Sequence, residues 1–287
     1  MIKVDKPNMA QKGTISVEKT GEVFFGVNVS GEEDEDVIYQ PVYKVKGLAG
    51  AVYEITADED VITPDGTLRY HKGDVVDTVT TDEDGTAKSK ELYLGKYNVV
   101  ETKAPTGMVI NKEKHSVELT YAGQDVAVTE TATSFVNERQ KVKISLEKIL
   151  EQDEIFGIGK NNEIKNISFG LYAKEDVVSS SGTVIPADGL IEIITLDENE
   201  AATANTDLPF GSYYIKEIAT DEHYILSDIQ YPFTFKYAGQ DTETVEIKVN
   251  DGKPIENKLI YGSVSGKKID ENGEVLGLSL IHISEPT

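Results

Sequence analysis

Apolar and polar positions alternate in short runs along most of the chain, and no long stretch holds a 3.6-residue repeat. Residues 14–19, 97–101, 115–121 and 127–134 read as strands in the first half. Residues 142–148, 212–217, 231–237 and 244–249 do so in the second. All are rich in Val, Ile, Thr, Tyr or Phe, as a half-buried pleated surface requires. Pro64-Asp-Gly66, Asp84-Gly85, Pro105-Thr-Gly107, Asp188-Gly189 and Asp251-Gly252 supply turns. Many short strands between Gly and Pro turns predict an all-β sandwich. Residues 148–156 leave two readings open, a helical turn or two or an acidic excursion between strands.

The pattern repeats. Tyr121-Ala-Gly-Gln-Asp125 recurs as Tyr237-Ala-Gly-Gln-Asp241, an offset of 237 − 121 = 116. The same offset relates Gly95-Lys-Tyr-Asn-Val-Val-Glu101 to Gly211-Ser-Tyr-Tyr-Ile-Lys-Glu217, and Ala57-Asp-Glu-Asp-Val61 to Ala173-Lys-Glu-Asp-Val177. Two homologous modules follow, expected at residues 12–140 and 141–261. Residues 262–277 read as the truncated start of a third module, and 278–287 as a non-native tail outside the module pattern.

Composition narrows the chemistry. The 287 residues carry 28 Lys plus Arg against 51 Asp plus Glu, a formal net charge of −23, which repels nucleic-acid phosphates. There is no Cys, so disulfides, thiolate nucleophiles and Cys-ligated metals are excluded. The four His residues form no close ligand pair. No apolar run is long enough to span a membrane, and no signal peptide or anchor is visible. Neither a cofactor nor a metal is expected. The acidic run Gly31-Glu-Glu-Asp-Glu-Asp36 and the cluster Asp58-Glu59-Asp60 read as solvated loops before cation sites.

Strand parity exposes the candidate chemistry. Ile15, Val17 and Lys19 share one face; so do Val142, Ile144, Leu146 and Lys148. Tyr97, Val99 and Glu101 align in the first module, as do Tyr213, Ile215 and Glu217 in the second. Phe135 aligns with Asn137, and Ile255 with Asn257. Each module thus offers Lys, Glu and Asn on faces that ought to be buried. Burial favours the neutral amine and the neutral acid, so their proton affinities converge. A neutral lysine is a nucleophile, the Asn amide an electrophile, and a neutral Glu can hydrogen-bond the amide oxygen, stabilise the tetrahedral intermediate and shuttle the proton to departing ammonia. The product would be a Lys–Asn isopeptide bond. Parity alone leaves other readings open: a lysine snorkelling to solvent, a Glu salt-bridged to Lys96 or Lys103, or an Asn making an Asx-turn.

At these residues the chain resembles the SpaA-type pilin and collagen-adhesin B-type (Cna-B) domains of Gram-positive surface proteins. Ile15-Ser-Val-Glu-Lys19 and Ile144-Ser-Leu-Glu-Lys148 resemble the family's first-strand motif. Gly95-Lys-Tyr-Asn-Val-Val-Glu101-Thr-Lys-Ala-Pro-Thr-Gly107 resembles its E-box, and the second module keeps Gly211-Ser-Tyr213 and Glu217 but lacks the Ala-Pro-x-Gly turn. Leu48-Ala-Gly-Ala-Val-Tyr53 and Phe169-Gly-Leu-Tyr172 resemble its second-strand region. The resemblance implies tandem prealbumin-like (reversed immunoglobulin-like) β-sandwiches. It implies catalytic acids at Glu101 and Glu217 and bond-forming pairs Lys19–Asn137 and Lys148–Asn257. Lys268 in Gly262-Ser-Val-Ser-Gly-Lys-Lys268 would open an incomplete third site.

The implied role is a stalk or scaffold segment of a cell-wall-anchored adhesin or pilin, extracellular and on the cell surface, with the signal peptide and anchor outside this fragment. Its bonds would form once, so it is not a turnover enzyme. Its partners would be neighbouring modules of the same surface protein, with host matrix protein or carbohydrate as further candidates, and neither nucleic acid nor membrane. The alternatives are a ligand-binding adhesin module and an accessory domain of a larger secreted enzyme.

Overall fold

A computed structural model describes residues 9–31, 37–197, 199–267, 269, 271–272, 274 and 283–286. Lys268 and most of the acidic run lie outside them. The described chain is all-β apart from two single-turn 3-10 segments, Glu163–Asn166 and Val249–Gly252. It forms two compact units. Unit 1 comprises Met1–Gly26, Val42–Lys141 and Tyr237–Val245; unit 2 comprises Val27–Pro41, Val142–Lys236 and Glu246–Thr287.

In unit 1, Val52–Ala57 runs antiparallel between Val75–Thr80 and Gly95–Lys103, with Lys114–Leu119 outside the latter. The facing layer is built on residues 12–21 of the strand Lys12–Ser30, which pair in parallel with Val128–Asn137 and antiparallel with Thr86–Lys88 and Leu92–Tyr93. Ile15, Val17, Tyr53, Ile55, Tyr97, Val99, Leu119 and Phe135 fill the space between the layers. Each such fully buried side chain contributes roughly 1.5–3 kcal/mol of hydrophobic stabilisation. Burial alternates over residues 15–22, the period-2 signature of a sheet with one covered face, whereas residues 97–99 are buried in succession. Within this unit Gln140, fully buried, accepts from Ala238 N at 2.8 Å and donates to Gly239 O at 3.1 Å and Thr242 O at 2.6 Å.

Unit 2 repeats the plan. Ser168–Ala173 lies between Leu190–Thr195 and Gly211–Ala219, and Gln230–Phe235 pairs with the latter. Opposite them, Lys141–Leu150 pairs antiparallel with Ala201–Thr203 and parallel with Ile255–Asn257. Phe169, Leu171, Tyr213, Ile215, Phe235 and Ile255 are buried. Beyond this, Tyr261–Val264 pairs antiparallel with Ile283–Pro286.

Two sequence expectations change. The first strand continues to Ser30 instead of ending at Lys19, because Ile38–Gly47 returns beside it and prolongs the ladder. Of the two readings for residues 148–156, the helical one is absent: strand persists to Leu150 and a turn follows at 154–156. Among the described residues no helix is long and apolar enough to cross a membrane.

Candidate functional site

The parallel pairing of first and last strands sets the site in each unit. Lys19 stands opposite Phe135 and Lys148 opposite Ile255, so each Asn lies two residues beyond the lysine's partner, on the same face. The glutamates arrive from the facing sheet, where Glu101 pairs with Tyr53 and Glu217 with Phe169. All six side chains belong to residues at most 2% exposed.

In unit 1, Lys19 Nζ hydrogen-bonds Asn137 Oδ1 and lies 3.2 Å from Glu101 Oε1. Asn137 Nδ2 donates to both Glu101 oxygens at 3.0 Å, and Asn111 N donates to Glu101 Oε2 at 2.7 Å. In unit 2, Lys148 Nζ is 2.6 Å from Asn257 Oδ1, 3.2 Å from Ile255 O and 3.7 Å from Glu217 Oε1. Asn257 Nδ2 donates to Glu217 Oε1 at 2.8 Å and to Thr220 Oγ1 at 2.9 Å, and Ser227 N donates to Glu217 Oε2 at 3.0 Å. In both units the amine meets the amide oxygen, one bond from the electrophilic carbon, and the carboxyl meets the amide nitrogen instead of the amide oxygen expected from the sequence.

Desolvation dominates the amines. Burial pulls Lys19 below the ordinary lysine value, with the Glu101 charge opposing. Burial likewise brings Lys148 down to about 8, against Glu217. A lysine held low by burial supplies the neutral nucleophile at much lower pH than a free one. The glutamate that opposes this shift is also the proton acceptor within reach.

Two glycines let the backbone close around Lys19. A Cβ on Gly21 would lie 2.8 Å from Asn137 O, and one on Gly85 only 2.3 Å from Lys19 O. Gly85 has φ +79°, and its carbonyl accepts from Lys19 N at 2.7 Å. The E-box tyrosines serve the scaffold: Tyr97 donates to Tyr93 O and Tyr213 to Pro209 O at 2.7 Å, anchoring the strands that deliver the glutamates.

Two hydroxyls near the glutamates went unread in the sequence. Tyr53 is fully buried and its Oη makes no close hydrogen bond, while Thr220 holds the Asn257 amide. The offset of 116 carries the signal: it turns Tyr53 into Phe169 and Ala104 into Thr220. The alternative of Glu101 paired with Lys96 or Lys103 is not what the structure places there; Lys96 lies near Glu59 at 3.9 Å.

The carboxylates of Asp58, Glu59 and Asp60 engage protein groups. Asp58 accepts from Asn98 Nδ2 at 2.8 Å and Asp60 from Lys72 N at 2.8 Å. Among the described residues no group of three or more His, Asp or Glu could hold a metal.

Comparisons with known proteins agree with this architecture. The family model described as "SpaA: Prealbumin-like fold domain" matches residues 42–133 and 156–253. No curated protein matches. Among solved structures, the Bacillus anthracis TIE protein is similar at 18% identity and a TM-score of 0.56, covering 96% of this chain and 44% of its own. The chain thus spans less than half the length of that protein. A Streptococcal ancillary pilin matches at 17% identity and a TM-score of 0.27, covering 84% of this chain and 63% of its own. The shaft pilin SpaA of Lactobacillus rhamnosus GG matches at 12% identity and a TM-score of 0.29, covering 87% of this chain and 98% of its own. The two matched stretches take in more than half of the residues, and the chain belongs to the SpaA prealbumin-like fold domain family.

Proposed function

We propose that this chain is a load-bearing stalk segment of a Gram-positive surface protein, a pilin or adhesin, displayed outside the cell and joined to further modules. Each unit is stapled by a spontaneous intramolecular isopeptide bond, Lys19–Asn137 in unit 1 and Lys148–Asn257 in unit 2. The carrying observation is the same buried Lys–Asn–Glu contact in both units, built from equivalent strands. The family membership supports the stalk reading, since it places the chain among domains that carry the SpaA name.

The chemistry balances without a co-reactant. The ammonium of lysine gives one proton to the glutamate, leaving a neutral amine. The amine lone pair attacks Cγ of asparagine while the glutamic acid hydrogen-bonds or protonates the amide. The C–Nδ2 bond breaks as an amine proton passes through the carboxyl to Nδ2. Ammonia leaves, taking up the remaining proton as ammonium, and the carboxylate is restored. Holding amine, amide and acid in contact supplies an effective concentration worth roughly 7–11 kcal/mol of the barrier in favourable intramolecular cases.

Intact mass of the freshly folded chain tests this: each bond removes one ammonia, so two losses are expected. A mass equal to that of the unlinked sequence would refute the crosslinks. The stalk role is tested separately by single-molecule pulling, where linked units extend far less than their full contour length.

A further inference from the structure

We propose that each site uses one further hydroxyl as a positioning group, drawn from a different residue in each unit: Tyr53 acts on the carboxyl of Glu101, and Thr220 on the amide nitrogen of Asn257. This rests on the bond-forming reading above and adds to it that the two bonds form under different control.

The two positions exchange chemistry. Tyr53 and Phe169 occupy the same place, each opposite the glutamate of its unit. Ala104 and Thr220 each lie three residues past that glutamate. Unit 1 therefore has the tyrosine hydroxyl and no threonine hydroxyl; unit 2 has the reverse.

Tyr53 is 0% exposed, its ring packs on Phe135 at 4.8 Å, and its hydroxyl makes no close hydrogen bond although the Glu101 carboxyl is near enough to act on it. A buried donor without a close partner is costly, and native cores retain few of them. Burial first, then the Glu101 charge and a weak hydrogen-bonding interaction with the Glu101 carboxyl, raise its ionisation far above the ordinary tyrosine value, so it stays a neutral donor beside that carboxyl. Glu101 holds the leaving nitrogen with both oxygens. The tyrosine hydroxyl beside that carboxylate supports its charged form before attack, and it can take the place of those donors when the nitrogen departs as ammonia.

Unit 2 solves a different problem. Glu217 takes Asn257 Nδ2 with one oxygen, and Thr220 Oγ1 takes it at 2.9 Å, so two separate acceptors fix the amide plane before attack. The remaining groups around each carboxyl also differ. Glu101 faces Lys19, with His115 stacked on Phe135 at 3.9 Å and held by Thr133 at 2.7 Å. Glu217 faces Lys148 and the half-buried Tyr231, and Glu256 adds to the field at Lys148.

The roles separate experimentally. A donor to the carboxylate favours its charged form, the form that takes the lysine proton, so loss of the tyrosine hydroxyl weakens that acceptor and shows on the acid side of the rate profile. A group that only orients the amide changes the rate at every pH alike.

The full chain, recovered unfolded from inclusion bodies in urea, is diluted into buffers of graded pH and quenched at intervals. Peptide mapping by mass then follows each linkage separately. Tyr53→Phe should move the acid limb of Lys19–Asn137 formation up by about one pH unit and leave Lys148–Asn257 unchanged. Phe169→Tyr should move the second linkage's acid limb down. Thr220→Ala should lower the plateau rate of the second linkage about threefold to tenfold without moving its limb. Unmoved limbs in Phe169→Tyr and in refolded Tyr53→Phe overturn the tyrosine role, and if Tyr53→Phe does not refold, Phe169→Tyr decides alone. An unchanged plateau in Thr220→Ala overturns the threonine role. Absence of both linkages from the parent chain at every pH would overturn the bond-forming reading itself.

Discussion

Lys148 Nζ lies 2.6 Å from Asn257 Oδ1, yet the two residues are 109 positions apart and are not register partners. The parallel ladder sets Lys148 against Ile255, and the pleat brings the residue two further on to the same face. Unit 1 repeats this with Lys19, Phe135 and Asn137. The acid that completes each triad comes from the other sheet, so a site exists only once the two layers have packed. Bond formation should therefore follow folding.

Removing one acid should affect one unit. Glu101→Ala is expected to abolish the Lys19–Asn137 linkage and spare Lys148–Asn257; Glu217→Ala should do the converse. Each variant would show one ammonia loss by intact mass where the parent shows two. Two losses from either variant would exclude the assigned acid.

Asn137→Ala should cost more than a hydrogen bond. It prevents the proposed cross-link between residues 118 positions apart, and by the loop-entropy argument used for disulfides that bond is worth about 4–5 kcal/mol. It also leaves Lys19 and Glu101 as a buried pair without the amide between them. Denaturant midpoints should fall accordingly, with trypsin cutting unit 1 first.

The lowered Lys148 predicts a pH signature confined to unlinked protein. In Asn257→Ala the amine survives, titrating near 8 when folded and near its ordinary value, about 10.5, when unfolded. Between those values the unfolded state binds more protons, so stability rises with pH across that window. The linked parent has no amine there and should show no corresponding rise. Urea melts at graded pH distinguish the two.

Gly85→Ala should damage unit 1 although it lies outside the triad. The left-handed backbone costs a side chain about 1–3 kcal/mol, and the 2.3 Å approach to Lys19 O adds a clash with backbone. Thermal melting should show the loss, and the Lys19–Asn137 linkage should form more slowly.

The sequence and the structure differ in what each makes visible. Alternation around Lys19, Glu101 and Asn137 marked all three as inward-facing, because strand parity is a local property. Their meeting required knowing that the first and last strands are parallel neighbours, which no local pattern encodes. The extension of the first strand to Ser30 was hidden because its partner lies beyond an acidic run that reads as loop. Tyr53 looked like ordinary core: an aromatic on an apolar face carries no sign that its hydroxyl makes no close hydrogen bond. Thr220 sat where the second E-box loses its Ala-Pro-x-Gly turn, so it read as a departure from pattern instead of a contact.

The parallel pairing of first and last strands also decides where tension runs. Pulled from residue 12 and from residue 137, those strands are loaded in shear, with their ladder bonds resisting together. With Lys19 joined to Asn137, force entering the first strand crosses to the last after a few residues and leaves. The loops, turns and core strands between them are bypassed. Sequence drift in that bypassed region would alter how the module looks to its surroundings while leaving its tensile path intact.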